Sequence, residues 1–150
     1  MGQTTGTNTN NQLTVKSDTS KIFIGDNRHD TFTASIENST YDDVTYLAGT
    51  LFGQKSADLS VKPLASGASD NSQYPLGVLA HDITVEAGDT YEEQVTLCVE
   101  GRVAEDKVLL QGSDTLDTII SGRTLRARIG ADTVGIKLVS STEMTSYDND

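Results

Sequence analysis

Between Tyr74 and Val103 the chain reads YPLGVLAHDITVEAGDTYEEQVTLCVEGRV, and this block leaves little room for anything but a β-rich fold. Pro75 fixes its own φ and lacks an N–H, so no helix runs through the start of the block. The β-branched run Ile83-Thr84-Val85 stops at the turn sequence Glu86-Ala87-Gly88-Asp89. Beyond it Val95, Leu97 and Val99 alternate with Thr96 and Cys98, the period-two pattern of a strand. The block therefore predicts an antiparallel β pair with one buried face.

The rest of the chain agrees with a thin β core. Only 35% of the residues are apolar, against a usual ~45–50%, which predicts substantial length outside any packed interior. At 150 residues the chain suits one domain. A domain of that size buries roughly two thirds of its unfolded surface and folds without disulfides or metal. Twenty-two acidic residues against eleven basic ones give a formal charge of −11, which repels phosphate backbones and argues against nucleic-acid partners. The basic cluster Arg123, Arg126 and Arg128 reads as charge complementing a helix C-terminus. It has no interleaved aromatics of the kind a single-strand platform needs. Apolar runs are only a few residues long and the N-terminus has no signal-peptide pattern, so the expectation is no membrane span and no secretory route.

Met1 to Gln12, MGQTTGTNTNNQ, has no side-chain charge and nothing apolar after Met1. It cannot build a core and is expected to be a mobile N-terminal arm, residues 1–12. Leu13-Thr14-Val15 and Lys21-Ile22-Phe23-Ile24 read as short strands, the second closed by Gly25-Asp26-Asn27. From Asp30 to Glu37 the alternation places Phe32, Ala34 and Ile36 on one face. Val44 to Leu47 is extended, and Gly49 and Gly53 bracket Leu51 and Phe52 at a corner of close backbone approach. Leu59-Ser60-Val61 is a strand candidate, Ala65 to Gln73 a loop, and Lys107 to Leu110 a possible sheet extension ending at Gly112.

The period then changes. Leu116, Ile119 and Ile120 predict one or two helical turns capped by Ser113 or Asp114. Thr124 to Ile129 predicts a second short helix with Leu125 and Ile129 on one face and Gly130 as its cap. Gly135 to Val139 is a last strand, and residues 141–150 form an acidic C-terminal tail. The predicted fold is mainly β, sandwich- or barrel-like, with one or two short helices in a single body over residues 13–140.

No residue pattern specifies a reaction. His29 and His81 each precede an aspartate, but neighbours on a strand point to opposite faces, so neither dipeptide makes its own general-base pair. Gly67 to Asn71 approaches a nucleophile elbow but ends in Asn where Gly belongs. Cys98 is the sole cysteine and reads as a buried thiol rather than a nucleophile or ligand. Two distant histidines and one cysteine supply no zinc spacing, and no Asp-x-Asp-x-Asp loop organises the carboxylates for calcium. The expectation is no catalytic residue, no metal and no cofactor. Asn38-Ser39-Thr40 matches a glycosylation sequon, which without a secretory signal reads as a chance match.

A binding role is easier to motivate. An uncharged arm leading into a β-prone stretch can add a strand to an exposed sheet edge on a partner. Ordering it costs roughly 1–2 kcal/mol of backbone entropy per residue, so single copies bind weakly and symmetric arrays bind well.

The stretch Gly77-Val78-Leu79-Ala80-His81-Asp82, followed by Gly88 and then by Val95 to Gly101, resembles the head decoration proteins of tailed bacteriophages, the phage lambda type. The resemblance covers about a third of the chain closely. It implies a nonenzymatic protein on the outer surface of the expanded head, made in the host cytoplasm and carried on the virion. There it would stabilise the shell as a homotrimer that bridges major capsid protein subunits. The family's N-terminal segment orders on the capsid, which here implies contacts from Thr4, Thr5, Thr7, Asn8, Thr9, Asn10, Asn11, Gln12, Leu13, Thr14 and Val15. Apolar residues of the Pro75-to-Val103 block are the candidates for the trimer interface. The strands between Ile22 and Ile36 have no clear counterpart in the family and belong either to the decoration body or to an added element. The alternative is a β-rich head-fibre or adhesion module that presents loops such as Ala65 to Gln73 to surface glycans.

Overall fold

The long apolar alternation around Cys98 becomes the axis of the molecule. In the computed structural model, which describes residues 22–140, the strands are β1 (Phe23–Thr33), β2 (Ile36–Glu37), β3 (Val44–Tyr46), β4 (Leu51–Gln54), β5 (Val61–Pro63), β6 (Pro75–Leu79), β7 (Ile83–Val85), β8 (Thr90–Tyr91), β9 (Gln94–Ala104), β10 (Ile119–Ile120), β11 (Arg123–Thr124) and β12 (Gly135–Val139). One α-helix, α1 (Leu125–Asp132), lies between β11 and β12. The main sheet has the order β1-β9-β6-β4-β5, and β12 joins β9 in parallel. Three strands therefore flank β9: β1 along one edge, β6 beside Leu97 and Cys98 on the other, and β12 beside Glu100 to Ala104.

Because successive strand residues face opposite ways, the sheet feeds two separate cores. Phe52, Leu79, Val95, Leu97 and Val99 pack with Ala34, Ile36, Ile83 and Val85 on one face. Leu51, Val78 and Cys98 pack with Ile120, Leu125, Ile129 and Ile136 on the other. The first face is roofed by the ribbons β2–β8 and β3–β7, the second by the β10–β11 hairpin and α1. Leu51, Phe52, Val78, Leu79, Leu97 and Cys98 are all fully buried.

The mainly β class is as predicted, and the form is a covered open sheet rather than a closed barrel, since β1 and β5 stand at its two ends. β12 and α1 fall where the sequence puts them. Leu125 and Ile129 form the buried stripe, and the Thr124 hydroxyl accepts from the Ala127 N–H at 3.2 Å as N-cap. Gly49 and Gly53 do mark close approaches: a Cβ at Gly49 would stand 2.5 Å from the Lys107 carbonyl oxygen, and one at Gly53 2.0 Å from that of Ser72.

Several expectations are corrected. Ile83–Val85 and the Val95–Val99 stretch do not pair with each other. β7 pairs with β3 and β9 with β1 and β6, so the two segments meet across the core as an arch. Period and turn residues are identical for a hairpin and an arch, and in the arch that forms Thr90–Tyr91 pair with β2 between the two segments. Nor does β9 have a single buried face, because Cys98 and Val99 are both enclosed.

Gly25-Asp26-Asn27 does not end a strand. It forms an irregularity inside β1, where Ile24 faces Arg102 and Arg28 faces Glu100, leaving extra residues on β1. Gly25 sits at φ +72 and Gly101 at φ +132, conformations that favour glycine. Across this stretch the apolar side of β9 changes over, from Val95, Leu97 and Val99 in one core to Val103 in the other.

Leu59 lies outside β5, exposed at φ +63. Lys107 to Leu110 contributes only the isolated bridge Thr50↔Leu109, after a 3-10 turn at Glu105–Lys107. Leu116 to Ile120 is not helical. Ile119–Ile120 pairs with Arg123–Thr124 through Ser121 (φ 51) and Gly122 (φ 87), the two positive dihedrals of a tight primed hairpin turn. Gly130 does not cap α1 but lies within it. Thr133 ends the helix, its hydroxyl donating to the Ile129 carbonyl and accepting the Ile136 N–H.

Candidate functional site

Every residue predicted to contact a capsid, Thr4 to Val15, lies outside the described residues, as do the arm 1–12 and the tail 141–150. What the structure fixes is where those segments join the body. The Ala104 N–H donates to the Ile22 carbonyl at 2.8 Å on one side of β9, and Ala104 pairs with Val139 on the other. Ile22 and Val139 thus flank Ala104 from opposite sides at the same end of the sheet, about two strand spacings or ~10 Å apart. The apolar residues of the Pro75-to-Val103 block are spent on the two cores: Val78, Leu79, Ile83, Val85, Val95, Leu97, Val99 and Val103 are all buried. Of the block's large apolar side chains, Tyr74, Leu76 and Tyr91 are the ones only partly buried. The exposed large apolar side chains lie elsewhere, at Tyr41, Leu47, Leu59, Leu109, Ile119 and Val134.

The motif that carries the sequence resemblance is structural. Gly77 lies in β6 where a Cβ would stand 2.7 Å from the Cys98 carbonyl oxygen, so Gly is the residue that lets β6 seat on β9. His81 follows β6 and locks it: the ring Nε2 accepts the Thr96 N–H at 3.2 Å while Nδ1 lies 3.3 Å from the Asp82 carbonyl. The Asp82 carboxylate is occupied elsewhere, accepting from the Ala48 N–H at 2.8 Å. His29 stacks edge-on against Phe23 at 5.2 Å between centroids. Neither histidine forms a catalytic pair with its neighbouring aspartate.

The serine-rich loops are clamped by short-range carboxylate contacts. The Ser60 hydroxyl donates to Asp58 at 2.7 Å, the Ser72 hydroxyl to Asp70 at 2.5 Å and the Ser66 hydroxyl to Asp114 at 2.6 Å. The Ser72 hydroxyl, with help from Lys62 at 3.0 Å, holds the Asp70 carboxyl well below the usual carboxylate range, and Ser60 lowers Asp58 in the same way. These are loop locks, with no nucleophile–base geometry.

Asn38 of the sequon is buried. Its amide donates to the carbonyls of Asp42, Val85 and Glu86, and its oxygen accepts from the Thr40 N–H and hydroxyl, so it ties the Asn38–Asp43 turn to the end of β7. Burial pushes the Cys98 thiol up from its ordinary value, against smaller lowering by the Asn27 amide and the Glu100 carbonyl. Among the described residues no group of three or more His, Cys, Asp or Glu side chains could hold a metal ion. Also among them, no helix is long and apolar enough to cross a membrane.

The arginine cluster is corrected in role. Arg126 and Arg128 sit in the first half of α1, not at its C-terminus. Arg126 pairs with Glu105 and Asp117. Arg128 donates to the carbonyls of Ile120 and Ser121, pairs with Asp132 at 3.1 Å and lies 4.8 Å over the Tyr74 ring. These contacts tie the β10–β11 hairpin to the helix and leave Arg126 and Arg128 committed within the fold.

Depressions break the surface of the described residues, and two are the roomiest. One of about 430 Å³ lies beyond β5 and is lined by Tyr46, Lys55, Lys62 and Gln111 among others. The other, about 510 Å³, runs beside β12 and α1. Sequence reasoning did not find the first, because its lining comes from five separate stretches with no shared motif. No protein-family model, curated protein or solved structure matches the chain.

Proposed function

We propose that this chain is a nonenzymatic decoration protein of a tailed-bacteriophage head. It binds the outer surface of the expanded shell and stabilises it by bridging major capsid protein subunits as a homotrimer. Residues Thr4 to Val15 make the shell contact. The observation that carries the reading is that Ile22 and Val139, at the two ends of the described residues, flank Ala104 at one end of the sheet. A body held at one end can stand outward from a lattice while its leader lies along that lattice as an added strand. Supporting it, the Gly77-to-Asp82 stretch that resembles the phage family builds the strand seated on β9, and His81, Ser60, Ser66, Ser72 and Cys98 are engaged in holding the fold.

The test is cosedimentation with expanded capsids from the parent virion. Deleting residues 2–12 is expected to leave a folded protein that no longer pellets with the shell, while the full chain saturates it. Undiminished pelleting of the truncation removes the leader from the mechanism. Binding of the full chain to surface glycans and not to shells replaces the reading with an adhesion module. Sedimentation equilibrium of the full chain is expected to give the mass of a trimer.

A further inference from the structure

The depression beyond β5 has chemistry that neither the fold nor the shell reading uses. Its floor is the buried pair Ile36 and Pro63 together with Ala65. Around it stand Ser35, Glu37, Tyr46, Lys55, Lys62 and Gln111. Lys62 already has a carboxylate, Asp70, at 3.0 Å. Lys55 has none at ion-pair distance: its ammonium donates to the Ser35 hydroxyl at 3.1 Å, and its charge reaches the Asp58 carboxylate only through a weaker Coulomb attraction, although Glu37 stands on the same rim. An ammonium carries three donors, and the single neutral acceptor leaves two of them unused. Among the described residues of so acidic a chain, Arg28, Lys62, Arg126 and Arg128 all have carboxylate partners. Lys55 is half-buried, has no carboxylate at ion-pair distance, and lines a concavity.

We propose that this depression binds a carboxylate group, received by the Lys55 ammonium with the Tyr46 hydroxyl and the Gln111 amide as neutral donors and with the apolar floor under the ligand's aliphatic stem. Charge-assisted hydrogen bonds to a lysine are the strong term in such a site. The Tyr46 hydroxyl stays protonated and able to donate, because burial raises it above its ordinary range. A dianion such as phosphate is disfavoured, since Glu37 on the rim and Asp70 behind Lys62 both repel the second charge. A neutral sugar leaves the Lys55 charge uncompensated. The carboxylate can come from a partner's acidic side chain or from a small free acid.

The probes are acetate, butyrate, N-acetyl-glutamate amide, inorganic phosphate and glucose, titrated into the full-length protein with backbone amide NMR as readout. The carboxylates are expected to shift the amides of Ser35, Tyr46, Lys55 and Gln111 saturably in the millimolar range. Lys55→Met is expected to weaken that response at least tenfold while the remaining amide spectrum stays native. Tyr46→Phe, a second variant that keeps the core ring, is expected to weaken it by a smaller factor. Tighter binding of the blocked glutamate than of butyrate assigns the source to a partner's side chain, and the reverse order assigns it to a free acid. The proposal is overturned by the absence of saturable shifts, by an unchanged response in Lys55→Met, or by phosphate or glucose binding as well as acetate.

Discussion

Gly53 offers the sharpest test of how β4, β5 and β6 fit together. It has no positive φ, so its need for glycine comes from space alone. A Cβ there would lie 2.0 Å from the Ser72 carbonyl oxygen, 2.6 Å from its carbon and 2.8 Å from the Tyr74 carbonyl oxygen. All three are backbone atoms, and that backbone cannot easily retreat. Ser72 is fully buried, its N–H and hydroxyl are tied to Asp70 at 3.1 and 2.5 Å, and Asp70 is tied to Lys62 on β5. Relieving the clash needs more than an ångström of movement, so Gly53→Ala sits at or above the top of the usual overpacking range of ~1–3 kcal/mol. Straining the β4–β6 ladder adds about 1 kcal/mol per hydrogen bond lost. The sum, about 3–4 kcal/mol, corresponds to a fall in Tm of roughly 10 °C for a chain of this size. Thermal unfolding followed by far-UV circular dichroism measures it, with Gly67→Ala, which meets nothing within 4 Å, as the control. A Gly53→Ala protein that melts within ~2 °C of the parent would refute the close approach, since no flexible side chain is there to absorb the methyl group.

Other outcomes follow from single contacts. Asn38→Ala is expected to destabilise by about 2–3 kcal/mol in urea unfolding, because it leaves the carbonyls of Val85 and Glu86 without their donor. Gly130→Ala, inside α1 with open space around it, is expected to stabilise by up to ~1 kcal/mol in the same assay. The lowered Asp70 carboxyl contributes stability that is present above the unfolded-state value near ~3.9 and is lost as pH falls through its lower folded value. Acid unfolding of Asp70→Asn is therefore expected to show a shallower pH dependence below about pH 4 than the parent does. Cys98, fully buried and raised by that burial, is expected to resist Ellman's reagent in the folded protein and to react at once in guanidinium.

Local order was written in the sequence wherever one element decides its own conformation. Thr124 with Leu125 and Ile129 is sufficient to start a helix and choose its buried side. The alternation Phe32, Ala34, Ile36 is sufficient to place all three in one core. Pairing was not written there. Ile83–Val85 looks as ready to fold back on Val95–Val99 as to cross to β3, and in the fold it crosses to β3 while Thr90–Tyr91 pair with β2. Leu116, Ile119 and Ile120 have helical spacing, yet Ser121 and Gly122 take left-handed dihedrals and turn the segment into a hairpin.

The same limit applies to the sites. That Cys98 would be an interior thiol follows from its neighbours on β9. The cradle around Lys55 does not, because Ser35, Tyr46 and Gln111 reach it from distant parts of the chain.

The position of β9 between β1 and β12 has a consequence for how the chain is made. The opening and closing strands of the described residues both rest on β9, so the sheet stays incomplete until Val139 has been synthesised. At ~5–20 residues per second, translation of 150 residues takes about 8–30 s. Between Ala104 and Val139, 35 residues or about 2–7 s of that interval, the rim of β9 at Glu100–Ala104 has no strand beside it on the β12 side, and a bare strand edge recruits neighbours into aggregates. Ribosome-bound intermediates should therefore depend on chaperones until the final strand docks, and ending translation before Gly135 should yield insoluble product.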